Sequence, residues 1–132
     1  MYVCRMSVQG GFQEGDIMIM QAFDEFIGEK KVQNLSSATL HNYRESFAGF
    51  MRFNGLNADE SVDGIYARMI QNRISDMHGR GLKTASINHY LGDCKAFLYW
   101  CMNDERTYIR RAFKIQMLRQ QKVGLKLFSE VK

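Results

Sequence analysis

The chain has 132 residues, 45% hydrophobic and 24% charged, with a net charge of +4 and no proline. That size and balance suit one compact domain of ordinary soluble usage, and no run approaches the roughly 18 apolar residues of a membrane span. Three cysteines without close pairing point to a reducing, intracellular setting. The opening residues 1–11 hold no long apolar block that reads as a secretory signal, so the expected location is cytoplasmic.

Residues 1–13 lack periodicity and contain Gly10-Gly11, which reads as a flexible lead-in. A first helix is predicted from about Asp16 to Lys31. Ile19, Phe23, Phe26 and Ile27 form its apolar stripe, and Lys30 and Lys31 complement the dipole of its last turn. Asn34-Leu35-Ser36-Ser37 breaks the pattern and supplies a cap. A second helix then spans about Ser37 to Asn54, with Leu40, Tyr43, Phe47, Phe50 and Met51 at helical spacing and Asn54-Gly55 as its stop. A third helix is predicted over Val62 to His78, burying Ile65, Tyr66, Met69, Ile70, Ile74 and Met77, and ended by Gly79-Arg80-Gly81.

The fourth segment, Leu82 to Asn103, organises the rest. Ile87, Tyr90, Leu91, Cys94, Phe97, Leu98 and Cys101 recur at steps of three and four, so they share one side of a helix, with Thr84 placed to cap it. The opposite side carries Ala85, Asn88, His89, Gly92, Asp93 and Ala96. Gly92 costs about 1 kcal/mol of helix propensity against Ala, so a close neighbour is expected there, either protein or a nucleic-acid groove. Four such helices joined by short connections make an all-α bundle.

Charge is divided unevenly. Residues 1–105 hold ten Lys/Arg against thirteen Asp/Glu, whereas residues 106–132 hold eight against one. A mildly acidic body thus precedes a strongly basic tail able to follow a phosphate backbone or simply to remain solvated. Cys94 and Cys101 sit on the apolar stripe and read as core residues. His89 and Asp93 lie one turn apart, too few for a metal site. No phosphate-cradling loop, nucleophile elbow or carboxylate pair is present, and neither a cofactor nor a metal is expected.

Two segments carry a resemblance. Leu35-Ser36-Ser37-Ala38-Thr39-Leu40-His41-Asn42-Tyr43, with Phe47 and Phe50, is the first. Gly81-Leu82-Lys83-Thr84-Ala85-Ser86-Ile87-Asn88, leading to Lys95-Ala96-Phe97-Leu98-Tyr99-Trp100-Cys101-Met102 and then Tyr108-Ile109, is the second. In this order they resemble the core-binding domain of tyrosine recombinases, the phage and transposon integrase family. The likeness runs over roughly residues 14–132, and Ala112 stands where members of the family often carry a proline.

The resemblance implies a four-helix, SAM-like bundle over residues 14–110 and a basic linker over 111–132 leading toward a catalytic domain. In the family this domain is one arm of a clamp around duplex DNA, with its second and fourth helices facing the major groove. It implies duplex DNA and other recombinase protomers as partners, and an isolated domain that is monomeric and without activity. His41-x-x-Arg44 has the spacing of a recombinase catalytic pair but lies in the wrong domain, so no catalytic residue is assigned. The candidate DNA contacts are Thr39, Asn42, Arg44, Lys83, Thr84, Ser86, Asn88 and His89 at the two helix starts, with Arg110, Arg111 and Lys114 in the tail. Hydroxyls, amides and cations at helix starts meet phosphates, and Asn can read adenine. The competing interpretations are that Thr39 and Thr84 are caps and the others solvated surface, or that the chain is a helical protein–protein interaction module.

Overall fold

A computed structural model of the chain describes residues 15–119. They contain four α-helices and no strand: α1 (Ile19–Val32), α2 (Ser37–Asn54), α3 (Ala67–Gly79) and α4 (Thr84–Met102), with a 3-10 turn at Val62–Gly64 between α2 and α3. The all-α, four-helix architecture expected from the apolar spacing is the one adopted. The lead-in 1–13 and the linker residues 120–132 lie outside the described residues.

The helix ends follow local chemistry where local chemistry suffices. At the start of α2, Ser36 Oγ accepts a hydrogen bond from the Thr39 N–H at 3.1 Å. At its end Gly55 adopts φ +65°, which lets the Gly55 and Leu56 N–H groups return to the Arg52 and Met51 carbonyls. α1 begins three residues after the predicted start, and Asp16 does not cap it. Instead the Ile19 and Met20 N–H groups donate to the Glu60 and Ala58 carbonyls at 2.8 and 3.1 Å, while the Val62 N–H donates to Ile17. A loop some forty residues away in sequence thus satisfies the orphan donors of the first turn.

The third helix is shorter than predicted. Ser61 Oγ accepts from the Asp63 N–H to start the 3-10 turn, Ile65 and Tyr66 are extended, and helix resumes only at Ala67. Ile65 stays buried, but Tyr66, assigned to the core on spacing, is 54% exposed. Thr84 is likewise not a cap. It is the first residue of α4, Lys83 occupies the cap position, and no side chain closes that end.

The core gathers around Phe97 of α4. Its ring centroid lies 4.7 Å from that of Phe47 in α2, and 5.0 and 5.4 Å from Phe23 and Phe26 in α1, all edge-on. Such pairs contribute about 0.5–1.5 kcal/mol each beyond the area they bury. Ile70 and Met77 tie α3 to this cluster, and Ile109 and Ile115 bring in the chain that follows α4. Cys94 and Cys101 are buried free thiols. Burial, helped by the Asp93 carboxylate and opposed by Arg73, pushes the Cys94 thiol up from 9.0 to about 12. Cys101 is raised further, again chiefly by burial.

Candidate nucleic-acid interface

The pairing of α2 with α4 decides which candidate contacts can act together. Ser46 of α2 donates from Oγ to Asp93 Oδ2 at 2.6 Å, and Cys94 Sγ approaches the Ser46 carbonyl at 3.6 Å. One turn later in α2, Phe50 lines the same small cavity as Tyr90 and Leu91, which come earlier in α4. The two helices therefore run in opposite directions, and their starts lie at opposite ends of the pair. At 1.5 Å per residue, Asn42 and the Lys83–Ser86 turn are separated by roughly 15–20 Å along the helices. The two starts therefore do not form a single patch.

At the α2 start, Thr39 is turned toward its own cap, its hydroxyl 3.0 Å from Ser36 Oγ. Asn42 and Arg44 are exposed, and Arg44 forms no ion pair among the described residues. At the α4 start, Lys83 and Ser86 are exposed and Thr84 is half-buried. Ile87 N–H is the first donor returned to a helix carbonyl, that of Lys83. The N–H groups of Thr84, Ala85 and Ser86 thus form an uncapped positive end. His89 projects outward with Nε2 3.7 Å from Asp93 Oδ2, and that carboxylate is already held by Ser46.

The tail behaves in two parts. Its first cations are bound to the acidic body. Arg106 lies 3.8 Å from the Trp100 ring centroid, donates to Glu29 Oε2 at 3.1 Å and to the Trp100 carbonyl at 3.1 Å. Trp100 Nε1 donates to the other Glu29 oxygen at 3.1 Å, and Tyr108 OH donates to Glu25 at 2.7 Å. The hydrogen bond to Glu25 holds the Tyr108 proton and raises its pKa. Arg110 bridges Asp16 Oδ1 at 2.7 Å and Asp63 Oδ2 at 3.1 Å, while its own N–H donates to Asp63 Oδ1 at 2.8 Å. Arg110, a DNA-contact candidate on its place in the basic tail, is thus the staple that joins both ends of the domain to the 3-10 turn.

Beyond Arg110 the chain runs extended along α4, from its last turn back toward its first. The Phe113 N–H approaches Met102 Sδ at 3.5 Å, the Ile115 N–H donates to Tyr99 OH at 2.9 Å, and Ile115 is buried. Met117 then covers Gly92, its Cε 3.7 Å from where a Cβ would stand. At Leu118 both backbone groups meet one side chain: its N–H donates to Asn88 Oδ1 at 2.8 Å, and Asn88 Nδ2 donates to its carbonyl at 2.9 Å. The neighbour anticipated at Gly92 is therefore the tail, and the Asn88 amide is engaged by backbone. The stretch read as a linker from residue 111 is packed on the domain as far as it is described.

Arg111, Lys114 and Arg119 are exposed and form no ion pair among the described residues. Lys95 joins them, its Nζ 5.3 Å from the ring centroid of Tyr99, the residue that anchors Ile115. Arg119 and Lys95 were missed as candidates. Lys95 was signalled by its place one turn before Tyr99, whereas Arg119 depends on a tail path that no periodicity marks. Among the described residues no group of three or more His, Cys, Asp or Glu is arranged to hold a metal, and no helix is long and apolar enough to cross a membrane. Comparison with protein-family models, with curated proteins and with solved structures finds no match for the chain.

Proposed function

We propose that this chain is the core-binding domain of a tyrosine recombinase, a non-catalytic module that grips duplex DNA while strand cleavage belongs to a separate catalytic domain. The observation that carries the proposal is the row of exposed cations on the tail, Arg111 beside the start of α3 and then Lys114 and Arg119 where the tail runs along α4 toward its uncapped start with Lys83 and Ser86, all without carboxylate partners among the described residues. Cations spread along an extended segment suit the regular charge of a phosphate backbone. The two segments that carry the family likeness supply α2 and α4, the most intimately packed pair, and Tyr108-Ile109 closes the bundle over α4 through the Ile109 N–H to Cys101 hydrogen bond. Other recombinase protomers are the further partners this reading implies.

The test is fluorescence anisotropy with a labelled duplex at two salt concentrations. Three phosphate contacts correspond to a salt slope near −3, so affinity should fall roughly 40-fold between about 50 and 200 mM salt, from a micromolar range typical of non-specific binding. Replacing Arg111 by Ala should flatten that slope by about one unit. Absence of binding at low salt, or binding indifferent to salt, would sink the proposal.

A further inference from the structure

We propose that the tail is a strap that occupies the adenine-reading edge of Asn88, and that its displacement turns α4 from a covered helix into a base-selective one. The inference rests on the DNA-gripping function proposed above and concerns how that surface is regulated. A side-chain amide reads adenine by accepting from the N6 amino group and donating to N7. The Leu118 backbone presents the same pair to Asn88, an N–H donor at 2.8 Å and a carbonyl acceptor at 2.9 Å. Tail and base therefore compete for one edge and cannot share it. The next turn of α4 fits the same purpose: Gly92 has no side chain, and among the described residues it is Met117 of the tail that covers it, so the helix can approach a groove closely once the tail has left.

The strap is built to release as a unit. Its backbone is bound to side chains of α4, namely Met102, Tyr99 and Asn88, and not to a neighbouring strand. Beyond the Arg110 staple, of residues 111–119 only Ile115 is fully buried, with Phe113 and Leu118 half-buried against the core. Segments with few buried contacts open at much lower free energy than the core of the domain. While the strap is closed, the apparent affinity of any ligand for the Asn88 edge is reduced by the small fraction of open molecules.

Leu118→Pro tests this in the full chain, because it removes the N–H donor to Asn88 and leaves every charge in place. Binding is measured to two duplexes of equal length, one A·T-rich and one G·C-rich, beside the wild type, Ile115→Ala, and the double variant Asn88→Ala/Leu118→Pro. The expected result is that Leu118→Pro and Ile115→Ala each raise affinity for the A·T-rich duplex at least about tenfold relative to the G·C-rich one, and that adding Asn88→Ala abolishes the preference. An equal gain on both duplexes would mean that the freed tail merely adds phosphate contacts, and would overturn the strap while leaving the DNA-gripping function standing. No gain on either duplex, or a preference that survives Asn88→Ala, would overturn it as well. If no form of the chain binds duplex, the function and the strap fall together.

Discussion

Arg110 and Arg111 are adjacent, equally charged and both exposed, yet replacing them by Ala should have opposite consequences. The Arg110 guanidinium reaches Asp16 at 2.7 Å and Asp63 at 3.1 Å, and the Asp16 side chain is only 6% exposed. Hydrogen bonds to charged groups contribute about 1.5–3 kcal/mol each, and solvent on the 40%-exposed arginine lowers the pair to roughly 2 kcal/mol together. The N–H bond to Asp63 survives in Arg110→Ala, so that figure is the loss expected. For a domain of this size it corresponds to a fall in Tm of roughly 10 °C. Arg111 has no partner among the described residues, and Arg111→Ala should stay within about 0.5 kcal/mol of the wild type. Thermal unfolding by circular dichroism, paired with duplex titrations well below the lower Tm, separates the two roles. Arg110→Ala should melt early and bind DNA nearly as well as wild type, and Arg111→Ala should do the reverse. If Arg110→Ala melted with the wild type and lost as much affinity as Arg111→Ala, the staple would be an incidental surface contact and the reasoning from its geometry would be refuted.

Two glycines in helices should also part company. Gly92→Ala places its Cβ 3.7 Å from Met117 Cε, an ordinary contact, and should raise the Tm by a few degrees through up to about 1 kcal/mol of helix propensity. Gly49→Ala would bring its Cβ to 2.9 Å from Arg73 Nη2, and Arg73 is fixed by Asp76 at 3.1 Å and lies over Phe53. That substitution should lower the Tm, and equal gains at both sites would show that Arg73 swings aside freely. The raised thiol pKa of Cys94 predicts an alkaline loss of stability. Its unfolded thiol ionises near 9 while the folded one holds its proton to about 12, so the contribution is complete below pH 9 and is lost as pH climbs toward 12. Urea midpoints at pH 7 and 10 should fall less in Cys94→Ala than in the wild type, and identical falls would exclude the thiol as the cause.

What the sequence shows well is whatever repeats within a single helix. The stripes of α1, α2 and α4 place Phe23, Phe26, Phe47, Phe50 and Phe97 in the core, because a 3.6-residue period is a local property of the chain, although Tyr90 of the α4 stripe is exposed. Errors begin where a partner is distant in sequence. The α1 start depends on the Glu60 and Ala58 carbonyls, and Asp16, the predicted first residue of that helix, is bound to Arg110 outside it. Tyr66 fits the α3 spacing, but the extended residues after Gly64 turn it outward. The candidate site suffers most. The resemblance and residue type name Asn88 at the α4 start and Arg110 in the tail as DNA contacts, whereas the opposed directions of α2 and α4 separate the two helix starts, and long-range hydrogen bonds bind Asn88 to Leu118 and Arg110 to Asp16 and Asp63.

The basic tail has a folding role, whatever it binds. Arg106 and Arg110 meet Glu29, Asp16 and Asp63, so part of the charge asymmetry along the sequence is cancelled within the fold. From residue 112 to 116 the pattern becomes that of a strand laid on a helix, with Phe113 and Ile115 inward and Ala112, Lys114 and Gln116 outward. Ile115 thereby turns Lys114 toward solvent, and at about 3.3 Å per residue Arg111 lies roughly 10 Å before it along the chain. In the proposed function the closed strap then holds its cations at fixed spacing for phosphates while Asn88 is occupied, and the open strap exposes Asn88 while loosening those cations. The two states would divide backbone attraction from base reading, so a variant that favours opening should gain selectivity between duplexes without a matching gain in its salt slope.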